Sequence, residues 1–154
     1  MLHILLNDVR SALNIGSIFR SSDAFAIHKI WLTGICAVPP NKEILKTALG
    51  ATESVNWEYQ ENPLEIIRRL KEEGVKIVAI EQSDKSTSLE TFSPLKDQNY
   101  LLILGNEVEG VSQEILNHCE THLEIPQFGE KKSLNVSVSA GIVLWHFKLH
   151  QLKF

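Results

Sequence analysis

The chain alternates short apolar runs with longer segments whose apolar residues recur every three or four positions. Residues 2–6 are the first run; it ends at Asn7 and Asp8 and reads as a buried strand. Residues 14–27 follow, with Ile15, Ile18, Phe19, Phe25 and Ile27 at helical spacing and Asn14 placed as the N-cap. Residues 29–33 form a second strand, closed by Gly34. Pro39, Pro40 and Asn41 open a short helix that runs through Leu49 and is capped by Gly50. Residues 54–59 alternate Val55, Trp57 and Tyr59 as a third strand. Asn62 and Pro63 start a helix with Leu64, Ile66, Ile67 and Leu70 on one face and Gly74 as its stop. Strands at 75–80, 100–104 and 122–125 complete the set, with a polar loop at 82–88 and a short helix at 112–119. The last segment, from Leu134 to about Gln151, is ambiguous at its start, where Val and Ser alternate with period two. From Ile142 onward its spacing is helical, and length favours one helix.

Strand and helix alternate with no tandem-hairpin signal. The predicted class is α/β, with a mainly parallel sheet flanked by helices. The chain has 154 residues and shows no linker or internal repeat, so one domain over residues 1–154 is expected. No apolar run reaches membrane-spanning length, the N-terminal apolar patch lacks a basic flank, and Cys36 and Cys119 have no metal-ligand spacing. A cytoplasmic protein with reduced thiols is expected. The net charge of −4 speaks against a protein that coats nucleic acid, but not against an enzyme that grips it through a local patch.

In an open parallel sheet, ligands sit at the carboxyl ends of the strands. Three polar turns fall there, at residues 7–20, 105–110 and 129–135, and are expected to form one pocket. The first carries Arg10, Asn14, Gly16 and Arg20. Asn14 and Arg20 lie about 120° apart around a helix, so the helix alone does not bring them together. Arg20 is either a surface cation paired with Asp23 or a glutamate elsewhere, or a phosphate or carboxylate clamp. The second turn sets Glu107 and Glu109 between Gly105 and Gly110. It is either a solvated acidic turn or a place where backbone approaches a ligand closely. The third has Lys131 and Lys132, followed by Ser133, Asn135, Ser137 and Ser139, whose side chains can bond exposed backbone N–H groups or a ligand. Neither a dinucleotide fingerprint nor a P-loop occurs. His146 and His150 are spaced i, i+4 without a third ligand, so no metal is expected.

At these turns the sequence resembles a known family. Asn14-Ile15-Gly16-Ser17-Ile18-Phe19-Arg20 is similar to a first motif, N-x-G-x-x-x-R. Leu104 to Gly110 is similar to a second, a hydrophobic residue followed by G-x-E-x-x-G. Ile125-Pro126 with Ser133-Leu134-Asn135-Val136-Ser137 is similar to a third, I-P…S-L-N-V-S. These are the motifs of the TrmH (SpoU) class of the SPOUT superfamily, RNA ribose 2′-O-methyltransferases. The resemblance covers nearly the whole chain, including KTALGATES at 46–54. Leu13 and Ala26 depart from it, where the family often has proline and glycine.

The resemblance implies a C-terminal deep trefoil knot, a homodimer, and S-adenosyl-L-methionine as cofactor. It implies cofactor contacts at Leu104, Gly105, Ile125 and Leu134. It makes Arg20 the main catalytic residue, with Asn14, Glu107, Ser133 and Asn135 shaping the site. The implied activity is methyl transfer to a ribose 2′-OH of tRNA or rRNA. With no separate RNA-binding extension expected, Arg10, Lys131, Lys132, Arg68 and Arg69 are the candidate basic patch. The alternative is a module on the same scaffold that binds RNA or S-adenosylmethionine without chemistry.

Overall fold

In the computed structural model, which describes residues 1–152, seven strands make one sheet. They are β1 (Leu2–Asn7), β2 (Lys29–Thr33), β3 (Trp57–Gln60), β4 (Lys76–Ile80), β5 (Thr87–Ser88), β6 (Tyr100–Leu104) and β7 (Thr121–Glu124). The order is β3-β2-β1-β6-β4-β7-β5. Every pairing is parallel, so all carboxyl ends lie along one edge. In register, Leu6 sits beside Leu104 on β6 and beside Leu32 on β2.

Parallel strands need crossover segments, and here most crossovers are helices. They are α1 (Ala12–Ala24), α2 (Lys42–Ala48), α3 (Ala51–Ser54), α4 (Pro63–Glu72), α5 (Gln113–Leu116) and α6 (Val136–Leu152). Strand side chains alternate between two faces. Ile4, Leu6, Ile30, Leu32 and Leu102 pack with Ile15, Ile18 and Phe19 of α1 and Val143, Leu144 and Phe147 of α6. Leu5, Ile77, Leu101 and Ile103 face Leu64, Ile67 and Leu70 of α4 and Ile115 beside them. Each such fully buried side chain contributes about 1.5–3 kcal/mol.

Two details set the geometry around α1. Gly16 lies where α1 meets α2, and a Cβ there would collide with the Thr47 hydroxyl and the Ile44 carbonyl oxygen. The KTALGATES segment is therefore a packing partner of the first motif, fixed by the Thr47 Oγ1 bond to the Leu13 carbonyl at 2.8 Å. Helix α6 runs alongside α1 in the same direction. Asn135 meets Asn14, Gly141 lies opposite Ser21, and Trp145 meets Phe25 with ring centroids 5.7 Å apart.

Several boundaries differ from the sequence expectations. The N-cap of α1 is Ser11, whose side chain accepts from the Asn14 N–H, so Asn14 lies inside the helix and its carboxamide is free for other partners. Residues 51–54 are a separate short turn of helix after a left-handed Leu49–Gly50 pair, which delays the third strand to Trp57. The polar stretch read as loop contains β5, a two-residue edge strand held only by β7. The Val/Ser alternation is helical: Ser139 N–H donates to the Asn135 carbonyl at 2.9 Å, the first bond of α6.

Candidate active site

A cavity of about 220 Å³ opens at the carboxyl ends of β4 and β6. Ile80, Leu104, Leu134 and Val136 give it apolar walls, and Gln82, Gln127, Ser133 and Ser139 supply polar groups. The second and third predicted turns bound it from two sides.

The second turn is a closed, heavily bonded loop. Asn106 and Gly110 exchange backbone hydrogen bonds at 3.1 and 2.9 Å. The Asn106 carboxamide oxygen accepts from the Val108 and Glu109 N–H groups at 2.9 and 3.0 Å, and its nitrogen donates to the Asp8 carbonyl at 2.9 Å. Gly105 is buried where the two arms of the loop close, and a Cβ there would collide with the Gly110 carbonyl. Below the loop, the Glu81 carboxylate accepts from the Val111 N–H at 2.6 Å. The glycine in this motif is thus required by the loop's own closure, and the backbone it leaves bare faces the cavity.

Glu107 faces away from solvent only partly and ties the second turn to the first. Its two carboxylate oxygens accept from the Ser11 and Arg10 N–H groups at 3.1 and 3.3 Å, just ahead of α1. Partial burial pushes its carboxyl upward. Hydrogen bonds from its own N–H, from Ser11 and Arg10, and from the Asn14 side chain outweigh that and hold it below the usual glutamate value. A carboxylate at a helix N-terminus is also favoured by the helix dipole.

The third turn joins the first through Asn135. Its side-chain oxygen accepts from the Ser137 and Val138 N–H groups at 2.8 and 3.4 Å, which makes Asn135 the cap of α6. Its side-chain nitrogen donates to Asn14 Oδ1 at 3.2 Å. Asn14 therefore sits between Glu107 and Asn135, a clip across all three turns.

The predicted residues separate into groups. Leu104, Gly105, Glu107, Ser133 and Leu134 line the cavity. Asn14 and Asn135 brace its edge from behind. Ile125 does not line it; it packs, partly buried, against the core beneath the third turn. Arg20 does not line it either: it lies exposed on α1 and has no hydrogen bond or ion pair among the described residues, Asp23 included. The first turn therefore borders the pocket and does not line it. Of the basic candidates, Lys132 alone lines the cavity, and Arg69 instead lies over the Trp31 ring, 5.0 Å from its centroid. Glu81, Gln127 and Val136 were missed. Glu81 follows an apolar strand directly, on the ligand-bearing edge of the sheet, and that position was a usable signal. Gln127 sits in an irregular loop and gives none.

Comparison with known proteins gives this geometry a context. A family model described as the SpoU rRNA Methylase family matches residues 1–145. The chain is 32% identical over 141 residues to the 23S rRNA (guanosine-2'-O-)-methyltransferase RlmB of Neisseria meningitidis, covering 92% of this chain and 55% of that protein. It spans about half the length of the curated relatives it matches. An AdoMet-bound rRNA methyltransferase from Sinorhizobium meliloti superposes with a TM-score of 0.91 at 28% identity, over 99% of this chain and 57% of that one. A TrmH/SpoU tRNA modifying enzyme from A. aeolicus gives 0.86 at 28% identity, over 97% and 74%. With a family match over nearly its whole length and the three motifs gathered around one cavity, the chain belongs to the SpoU rRNA methylase family.

Proposed function

We propose that the protein is an RNA 2′-O-methyltransferase that uses S-adenosylmethionine to methylate a ribose 2′-OH of tRNA or rRNA. The observation that carries this reading is the cavity between the Gly105 loop and the Ser133–Leu134 turn, with the first motif clipped to its edge by Glu107 and Asn14. The residues present fit the cofactor. Leu104, Leu134, Ile80 and Val136 offer apolar walls to an adenine ring. The bare backbone at Gly105, with Gln82, Gln127 and Ser139, offers polar partners to a ribose and an amino-acid tail. When bound, S-adenosylmethionine supplies an electrophilic methyl group on a good leaving group.

The chain's own residues then do the positioning. The cavity walls fix one reactant, and in-line approach by the ribose oxygen is an orientation problem worth several powers of ten. The ribose has to lie between the cavity mouth and the exposed face of α1. There Arg20 stabilises negative charge developing on the attacking oxygen. A guanidinium stays protonated and does not take the proton, which leaves to an RNA phosphate or to water. Asn14, Glu107 and Asn135 hold α1 at the distance this requires, and Ser133 bonds the ribose or the cofactor tail.

The reading includes a homodimer. Val138, Ile142 and Trp145 of α6 follow at i, i+4 and i+7 and are exposed, while its other face is buried in the core. A helix apolar on both faces is expected to be covered on both. The reading also includes a trefoil-knotted carboxyl part. The chain returns from the β5 edge to insert β6 between β1 and β4, then β7 between β4 and β5, a strand order compatible with such threading. It places the protein in the cytoplasm, where its two unbridged cysteines stay reduced.

The test is methyl transfer from labelled S-adenosylmethionine to RNA stripped of its native modifications, with nucleoside analysis of the product. A 2′-O-methylnucleoside is expected with the wild type and a loss of about 10²–10³ in rate with Arg20→Ala, with cofactor affinity retained. The second reading, a binding module without chemistry, is favoured by one observation: Arg20 neither lines the cavity nor is held by any neighbour among the described residues. Cofactor binding without transfer to any RNA tested would establish that reading in place of the first.

A further inference from the structure

The two most exposed large apolar side chains among the described residues are Val108 and Phe128, each 92% exposed. They lie on the two different loops that bound the one cavity at the Gly105 turn. Val108 lines that cavity, and Phe128 stands next to Gln127 and four residues before Lys132, both of which line it. The other phenylalanines among the described residues each have an aromatic neighbour: Phe19 with Trp57, Phe25 with Trp145, and Phe92 and Phe147 with Tyr100. Phe128 has no ring partner among the described residues. Single exposed apolar residues are ordinary. An unsupported aromatic ring directly after a cavity-lining residue, in an exposed loop that continues through Gly129 and Glu130 to two lysines, is a different arrangement.

We propose that Phe128 is a stacking platform for an unpaired base of the RNA substrate at the cavity mouth, with Lys131 and Lys132 holding the adjoining phosphates and Val108 closing the opposite side. This rests on the RNA methyltransferase reading and deepens it: the substrate nucleotide is single-stranded or flipped out, because a base face is available to a protein ring only when it is unstacked. A flat ring stacks on any base, so Phe128 contributes binding and placement. Sequence choice would come from elsewhere.

The experiment uses the full chain with two readouts. The first is quenching of 2-aminopurine fluorescence in a single-stranded RNA oligonucleotide, compared with the same oligonucleotide in a duplex; it needs no methyl transfer. The second is steady-state transfer to unmodified RNA. The wild type is expected to quench the single strand and not the duplex, and Phe128→Ala to abolish the quenching. Phe128→Ala is expected to raise KM for RNA about tenfold or more, with kcat and cofactor affinity within about twofold. Phe128→Trp is expected to restore both readouts and Phe128→Leu neither. Unchanged KM and quenching in Phe128→Ala, or full rescue by leucine, would overturn the proposal. So would weakened cofactor binding, which would make the ring a cover for the cofactor, or dissociation of the oligomer, which would make it a contact between copies. If the wild type transfers no methyl group yet quenches through Phe128, the catalytic reading fails and the stacking platform stands.

Discussion

The two loops that face each other across the cavity are built in opposite ways. The 105–110 loop is closed by a pair of backbone bonds, filled by the Asn106 carboxamide, tied to Asp8 and braced from below by Glu81. Gly105 has no room for a single added carbon. In the 127–135 loop, residues 128–135 are all exposed, and Gly129 has nothing within reach of a Cβ. One loop is a template whose shape is set before any ligand arrives. The other is organised only at its end, where Asn135 caps α6. A fixed surface suits a small cofactor that always has the same shape, and an open arm suits a large, variable polymer. On the proposed reading, cofactor binding belongs mainly to the first loop and RNA contact mainly to the second.

The sharpest way to break that comparison is Gly105→Ala. The new methyl group has to push apart the Asn106–Gly110 bridge, and overpacking of this kind costs about 1–3 kcal/mol. Cofactor affinity, followed by calorimetry, is expected to fall at least tenfold, with a lower Tm. Unchanged affinity would mean that the loop does not template the cofactor.

A second test works through pH. The Glu107 carboxyl is held below its ordinary value, so its hydrogen bonds to Arg10 and Ser11 stabilise the fold fully above about pH 4.5 and are lost as pH falls through the lowered value. Glu107→Gln removes this contribution. Wild type and variant are expected to differ in Tm at neutral pH and to converge in acid. A constant gap across that range would mean that the carboxylate's charge is not what clips the loop to α1. Acid weakens a second place as well: buried His3, lowered to about 4 mainly by desolvation and next by His28, accepts from the Trp31 indole N–H at 3.3 Å and stays neutral. Its contribution fades between about pH 6.5 and 4 in both proteins, so the difference between them isolates Glu107.

The same contrast explains what the sequence could disclose. The seven-strand sheet was largely legible, because buried parallel strands are apolar runs and their carboxyl ends are bordered by Asn, Asp, Gly and Glu. The β5 edge was not legible, because two residues paired on one side need no apolar pattern. The rigid loop could be located from its two glycines, but its closure by Asn106 could not, since that depends on a side chain folding back on its own turn. Asn14 looked like a cap because it precedes an apolar periodic segment; Ser11, three residues earlier, outcompetes it and frees the carboxamide for Asn135. Ile125 and Arg20 show the limit of motif position. Both stand at motif positions, yet one packs under the loop and the other is exposed on α1 and lines no part of the cavity.

A smaller effect is expected from the open arm's charges. Each lysine that meets an RNA phosphate releases about 0.7 of a counterion on a single strand, so Lys131→Ala and Lys132→Ala should each flatten the plot of log affinity against log salt by about that amount. The two are expected to differ in one respect. Lys132 lines the cavity and Lys131 does not, so only Lys132→Ala should also change cofactor affinity. Equal, salt-independent losses would remove the arm from RNA binding.

The smallest effect is predicted for Gly129→Ala. Nothing lies within 4 Å of the added carbon, and Gly129 is not among the glycines with positive φ, so alanine fits without strain. Replacing a glycine at a compatible position removes unfolded-state freedom, and stability should stay level or rise by about 0.4–1 kcal/mol. Cofactor affinity should not move, because residue 129 touches no cavity wall. If the arm closes over bound RNA by a backbone change that only glycine allows, KM for RNA will rise in Gly129→Ala while Tm and cofactor affinity hold. That single departure would show the third motif's loop to be a moving part, and Gly105→Ala and Gly129→Ala would then report the same residue type serving close packing in one loop and freedom in the other.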